Sequence, residues 1–325
     1  MAITKITDVV VPEIYDQYAA ENGIYTNSLY KSGIVVRQPN FDALLDGGAK
    51  QFEMPFWKTN DMFSVASHAI LEGEEVTNNK IQATKMTARR QFRDASFGWT
   101  DVAAMLAGSS PEMVLASNLD AYWNKSWNTS LFASVRGVIA DNVANDSGDM
   151  VLDITSDADK YVSAEAIIKA QYKHGDMTGG FVGIAMHSLV KMRLEQMGLI
   201  DVVPESQQNP RFETYAGMTV FTDDTLVSGS DYYTIIFKSG AFGFGYSANG
   251  YLPTEIDRDP KTSGGEDFLY TRRAYVLHPY GFSYSDDAGA TQDFPLDTEL
   301  ATAANWDRNV ASVKNTRFVA LLSQG

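Results

Sequence analysis

One segment restricts the possible folds more than any other. Ser110 stands where a helix N-cap belongs, Pro111 fits the first helical position and Glu112 the first turn. Apolar residues then recur at Leu115, Leu119, Trp123, Trp127, Leu131, Val135 and Val138. This spacing predicts a helix over 110–139, roughly 45 Å long at 1.5 Å per residue. That is longer than a small core requires. The large side chains lie around more than one face, so the helix is expected to pack on two sides.

The segment before it reads as β structure. In QFEMPFWK, Phe52, Met54 and Phe56 alternate with Gln51, Glu53 and Pro55, the period of a half-buried strand. Pro55 lacks a ladder donor, which suggests an edge strand. Beyond a polar middle, LEGEEVTNNK, runs the long charged stretch KIQATKMTARRQFRDASFGW. Together these predict a long hairpin with little apolar face. A two-stranded ribbon is marginal in water, so it must lie on its own body or on another subunit. Arg89, Arg90 and Arg93 cluster at its base, either as a solvated face or as an ion-pair patch between subunits.

Residues 1–46 show little periodicity. EIYDQYAAENG could form a short helix ended by Gly23, and 32–39 reads as extended, an arm that needs a partner surface to become ordered. After the long helix the pattern is α/β. A helix is expected from Ser163 through His174, a buried strand in FVGIAMHS, a helix stopped at Gly198 and a hairpin around Gly217. DYYTIIFKSGAFGFGYSA reads as a strand running into glycine-rich turns. TEIDRDP and FLYTRRAYVLHPYGFSYS follow as long strands, then a short helix in DTELATAANW and a last strand in TRFVALLS.

The chemistry expected of an enzyme is missing from the pattern. With no cysteine, a disulfide framework, a thiolate metal site and a thiol nucleophile are excluded. His68, His174, His187 and His278 have no metal-ligand spacing, and no GxSxG elbow accompanies the His187–Ser188 pair. GAFGFGYSANG lacks the Gly-Lys-Ser/Thr ending of a phosphate loop. No cofactor or metal is expected. The start, MAITKITDVVVPE, lacks the pattern of a secretory signal, and no apolar run reaches the ~18 residues of a membrane span. The net charge of −15, from 41 acidic and 26 basic residues, argues against a surface that grips nucleic acid.

Seven stretches carry a resemblance. They are FGWTDVAAMLAGSSPEMVLASNLDAYWNKSWNTSLFASVRGVIADN, IAMHSLVKMRL, ETYAGMTVFTDD, YYTIIFKSGAFGFG, EIDRDP, YTRRAYVLHPYGF and LATAANWDRNVASVKNTRFVALLSQG. In order, from about residue 47 to the end, they resemble the major capsid proteins of tailed bacteriophages with the Hong Kong 97-type α+β fold. The resemblance implies an N-arm over 1–46, an E-loop hairpin over 47–98, and a P-domain over 99–150 with the spine helix 110–139. It further implies an A-domain over 151–245 and P-domain return strands over 246–290, and leaves 291–325 unplaced. The implied function is self-assembly into hexamers and pentamers of an icosahedral head enclosing double-stranded DNA, held without specific binding. The implied location is the virion capsid, with assembly in the host cytoplasm. A portal, and a separate scaffolding or decoration protein, are the implied partners, with no membrane. The prototype's long N-terminal scaffolding segment has no counterpart before the arm, and its lysine cross-link does not carry over to Lys58, Lys80 or Lys85. A shell protein of a cellular nanocompartment is the alternative. The side chains expected between subunits are Phe56, Trp57, Arg89, Arg90, Arg93, Trp123, Trp127, Arg258, Arg272 and Arg273.

Overall fold

The computed structural model describes residues 29, 32–58, 80–203, 212–286 and 293–324. The chain opens with β1 (Val35–Arg37) and α1 (Pro39–Asp46), followed by the hairpin strands β2 (Gln51–Trp57) and β3 (Ala83–Arg89). After β4 (Gln91–Thr100) come α2 (Asp101–Ala107) and the long helix α3 (Pro111–Asn145). An α/β region follows: β5 (Val151–Asp153), α4 (Ala164–Gln171), β6 (Phe181–Met186), α5 (Ser188–Gln196) and β7 (Asp201–Val203). It continues through β8 (Phe212–Tyr215), β9 (Met218–Thr222), β10 (Val227–Ser228) and β11 (Asp231–Lys238). The return comprises β12 (Phe242–Ser247), β13 (Thr254–Asp259), β14 (Glu266–Pro279) and β15 (Phe282–Tyr284). Last are α6 (Asp297–Leu300), β16 (Trp306–Arg308) and β17 (Phe318–Gln324).

Two sheets organise these elements. In the smaller, β14 is the axis: β4 pairs along one side, while β13 and then β12 pair along the other, with β1 parallel to β12 at the edge. The larger runs β5-β17-β11-β6-β9-β8-β7. Its helices α4 and α5 cover a core of Ile167, Ile184, Val190, Leu194, Ile236 and Leu321. The domain boundary expected at 245 falls inside β12, which belongs to the smaller sheet through its pairing with β14.

The expected helix is present and longer, running to Asn145. Ser110 occupies its N-cap position but makes no side-chain cap bond. Its two halves live in different surroundings. Residues 111–129 are largely open, apart from Trp123, whereas 130–142 are buried on nearly every face. Phe132, Val135 and Ile139 join the aromatic cluster of Phe237, Phe242, Phe282 and Phe318. The opposite side is closed by the chain's own segment 297–308. Ser130 Oγ donates to Asp297 at 2.7 Å, and Arg93 pairs with the same carboxylate at 2.8 Å. Both sides of this half are therefore packed by the chain itself, as the spread of large side chains predicted.

The helix end carries Asp141, Asp146 and Asp149 beside Asp307. Arg308, at the negative end of the helix dipole, bonds both Asp149 oxygens at 2.8 and 2.9 Å and reaches Asp146 at 3.3 Å. Asp141 is 2% exposed and accepts from Asn145 Nδ2 at 2.6 Å. Burial holds the Asp141 carboxyl above its ordinary range; the Asn145 bond and Arg308 oppose the shift, and Asp146 and Asp307 add to it. A raised folded value means the ionised form costs stability at neutral pH, and that the cost fades as pH falls to where the group is protonated in both states. Asp141→Asn, which keeps the acceptor for Asn145, is expected to raise the melting temperature at pH 7 and to change it little near pH 3. A denaturation series against pH checks this; an equal gain at both ends contradicts the assignment.

Residues 32–46 are not a free arm. Ile34 is fully buried, and Phe41 and Leu45 of α1 pack on Phe52, Ala88 and Val276. α1 was missed from the sequence although Pro39 at its start and the Phe41/Leu45 spacing were visible. The glycines of FGFGYS explain the fit. A Cβ on Gly243 would stand 2.7 Å from Phe41 Cε2, and one on Gly245 would meet the Phe41 Cβ itself. The glycine-rich stretch is thus a strand cleared for a helix rather than a set of turns. The stretch expected as a helix in DTELATAANW holds only α6 and a 3-10 turn over Ala303–Asn305. The helix expected in EIYDQYAAENG lies outside the described residues.

Candidate assembly interface

Among the described residues, the β2–β3 hairpin is hydrogen-bonded to the body along β3. Thr87 N donates to Ser283 Oγ at 3.0 Å, and Asn309 Nδ2 donates to Lys85 O at 3.0 Å. Phe52 is buried there, under Arg90. Farther out on that face Met54 is half-buried against the same cluster and Phe56 is half-buried, while Trp57, on the opposite face of the strand, is 65% exposed. β2 pairs with β3 alone, so Pro55 sits in an edge strand as its missing N–H requires. An aromatic side chain exposed on a two-stranded ribbon is apolar surface without cover from its own chain.

A second uncovered apolar area lies at the start of the long helix. Met105 and Leu106 of α2 and Met113, Val114 and Tyr122 of α3 are exposed, Met113 at 75%.

The expected contact residues fall into two groups. Several are engaged inside the subunit. Arg89 pairs with Asp286, Arg90 donates to Leu45 O, and Arg93 pairs with Asp297. Trp123 is 2% exposed, donates from Nε1 to Thr271 Oγ1 at 3.0 Å and lies under Arg273. Trp127 packs edge-on against Phe244 and Tyr275. Arg273 also donates to Pro253 O at 3.0 Å. The basic cluster is therefore engaged within the subunit rather than simply solvated, because acceptors from 45, 286 and 297 converge on it. The others stay accessible. Phe56 and Trp57 lie on the hairpin, Arg258 bridges Asp101 at 2.5 Å and Asp267 at 2.7 Å, and Arg272 pairs with Glu255 at 3.1 Å. Arg258 and Arg272 hold the exposed strand β13 against its neighbours.

The histidines lie apart from one another. His278 donates from Nε2 to Phe282 O at 2.8 Å and stacks on Trp306, and burial lowers its pKa to about 4. His174 meets Thr316 Oγ1 at 3.0 Å and is lowered to about 4 by burial, with Lys238 adding to the shift. Since the Thr316 hydroxyl donates to Val313 O, the His174 Nε2 carries the ring proton. His187 caps α5, its Nδ1 accepting from Leu189 N at 3.1 Å, so that nitrogen is not available as a base for Ser188. His68 lies outside the described residues. Among the described residues, no three His, Cys, Asp or Glu side chains gather where they could hold a metal ion, and no helix is long and apolar enough to cross a membrane.

No family model matches the sequence. The major capsid protein of Bacillus phage SPP1 is 34% identical to it over 327 residues, covering 98% of each chain. Solved structures with a similar fold include the Cyanophage Pam1 capsid asymmetric unit (TM-score 0.58, 6% identity, 96% of each chain covered). The capsid of Ralstonia phage GP4 gives a TM-score of 0.55 at 8% identity, over 97% of this chain and 96% of that one. Mycobacterium phage Che8 gives 0.52 at 11% identity over 96% of each. At such identities the structural likeness is one of fold, a mixed α+β architecture shared with phage capsids.

Proposed function

Because the chain belongs to the family of phage major capsid proteins, we propose that its copies form the hexamers and pentamers of an icosahedral head with the Hong Kong 97-type fold. In this reading 47–98 is the E-loop, α3 the spine of a P-domain built on the smaller sheet, and the larger sheet with α4 and α5 the A-domain. Sheet pairing favours ending the A-domain near 240 and returning β17 to it. The arm is then confined to the residues before Ile34.

The observation that carries the mechanism is Trp57, 65% exposed on a two-stranded hairpin. Laid over the open first half of a neighbour's α3, the hairpin would bury Trp57 against Met105, Met113 and Tyr122. Each such contact is modest, and the shell holds because every subunit makes several at once. The excess of acidic over basic residues suits a wall that encloses double-stranded DNA without adhering to it. A portal and a separate scaffolding protein complete the proposed partners, with assembly in the host cytoplasm. A nanocompartment shell is the weaker reading, since the relative matching end to end is a phage protein.

Deleting 60–80, most of which lies outside the described residues, tests the overlap. The variant is expected to keep a cooperative melt and to sediment as subunits or small oligomers, while the full chain, with its scaffold if needed, gives round megadalton particles by electron microscopy. Intact shells from the deletion would refute the hairpin's role.

A further inference from the structure

The stretch GAFGFGYSANG forms β12 up to Ser247 and leaves Asn249 and Gly250 in the turn that follows. In an Asn-Gly pair the backbone nitrogen of Gly can attack the preceding side-chain amide with little hindrance, because Gly carries no Cβ. Both residues are exposed, Gly250 has a φ of 84°, and nothing stands within 4 Å of where its Cβ would be. Asn249 N donates to Ser247 Oγ at 3.1 Å. Among the described residues, neither the Asn249 side-chain amide nor Gly250 N is hydrogen-bonded. The attacking nitrogen and the carbon it attacks are thus both unrestrained and open to water. Asp46–Gly47, at the end of α1, is a pair of the same kind under restraint. Gly47 N donates to Ala43 O at 3.3 Å and to Leu44 O at 3.2 Å, and the Asp46 carboxylate accepts from the Ser247 hydroxyl. Both pairs border one cavity of about 420 Å³, which Arg90 also lines.

We propose that Asn249 is a self-modification site of the folded subunit, converted by water alone to an aspartyl or isoaspartyl residue, while Asp46 is spared. Gly250 N gives up its proton and bonds to Asn249 Cγ; the Cγ–Nδ2 bond breaks, and the amide nitrogen leaves as ammonia after taking up a proton. Water then opens the resulting succinimide at either carbonyl. The side-chain amide and one water have become a carboxylic acid and ammonia, with no change of oxidation state. The first step needs a deprotonated backbone nitrogen, so the conversion quickens as pH rises. It also adds a negative charge to the wall of the cavity. Arg90 anchors the root of the hairpin there, donating to Leu45 O with its guanidinium over the Phe52 ring. Among the described residues the buried Arg90 Nε has no hydrogen-bond partner, so the new carboxylate arrives beside a cation that is only partly satisfied.

The full chain is incubated in mildly alkaline buffer, both native and in guanidinium chloride, and then digested with trypsin. Cleavage after Lys238 and Arg258 separates Asn249 from Asn22, the other Asn followed by Gly in the sequence. Mass spectrometry reads the change from amide to acid, and labelling by an isoaspartyl methyltransferase reads the isoaspartyl product. Position 249 is expected to convert in the native chain within about threefold of its denatured rate, because an exposed turn needs no opening. Stronger protection of Asn249 by the fold overturns the proposal. Asp46 is expected to form isoaspartyl at least about tenfold more slowly in the native chain than in denaturant, since its hydrogen bonds must open first. An Asp46 that isomerises as fast native as denatured overturns the contrast on which the proposal rests. Asn249→Gln, whose longer side chain would have to close a larger ring, is expected to abolish the signal from the 239–258 peptide. Persistence of that signal in the variant assigns the chemistry elsewhere and also overturns the proposal.

Discussion

A chain ending at Thr316 is expected not to fold. β17 is an inner strand, antiparallel to β11 through the seven pairs from Phe237↔Phe318 to Asp231↔Gln324, and parallel to β5 on its other side. Phe318, Val319, Ala320 and Leu321 are each 1% exposed or less, and they contribute to both cores. Burying Phe, Val and Leu contributes about 1.5–3 kcal/mol each. Removing them also leaves the inner edge of β11 without its partner, exposing buried peptide groups at a further cost. The loss is on the order of the whole stability of a typical domain, about 5–15 kcal/mol. Expression of 1–316 is expected to give aggregated material without a cooperative melt. A soluble, monodisperse product with native circular dichroism would overturn this reading.

Gly137→Ala is expected to destabilise the subunit by about 3 kcal/mol, although it is a helix-interior change that ordinarily gains about 1 kcal/mol. Gly137 lies in the buried half of α3, where the Trp306 Nε1 donates to Leu300 O at 2.7 Å directly across it. A Cβ there would meet Leu300 O and stand 2.5 Å from Trp306 Nε1 and 2.7 Å from Trp306 Cδ1. Backbone and a fully packed indole cannot yield as a flexible side chain would. The clash therefore lifts the segment 297–308 from the helix, and with it the Asp297 contact to Ser130 and Arg93. Chemical denaturation of the purified variant measures the change, and a shift toward greater stability would contradict the packing described.

The two expectations mark where sequence reading stopped. α3, the hairpin, β6, α5 and the β8–β9 turn followed from local pattern, because caps, periodicity and glycine stops act over a few residues. The glycine stops hold in the structure: Gly198 and Gly217 have φ of 68° and 82°. Residue patterns said less about what each element would touch. Arg89, Arg90 and Arg93 formed a basic cluster in the sequence, yet their acceptors come from Leu45, Asp286 and Asp297. The near-zero amphipathicity of α3 was legible as two-sided packing, but not as packing against residues more than 150 positions away.

By itself the sequence determined that this chain has one overlong helix and a polar hairpin, and its 34% identity to a phage major capsid protein settled the family. Only the tertiary structure decided which apolar surface the chain's own segments leave uncovered. It closed the second half of α3 with the chain's own 297–308, placed β17 inside the larger sheet, and left Trp57 of the hairpin and the first turns of α2 and α3 exposed. The reason is physical: periodicity reports which face of an element is apolar, whereas cover depends on which distant segment reaches that face, and only the folded chain fixes that.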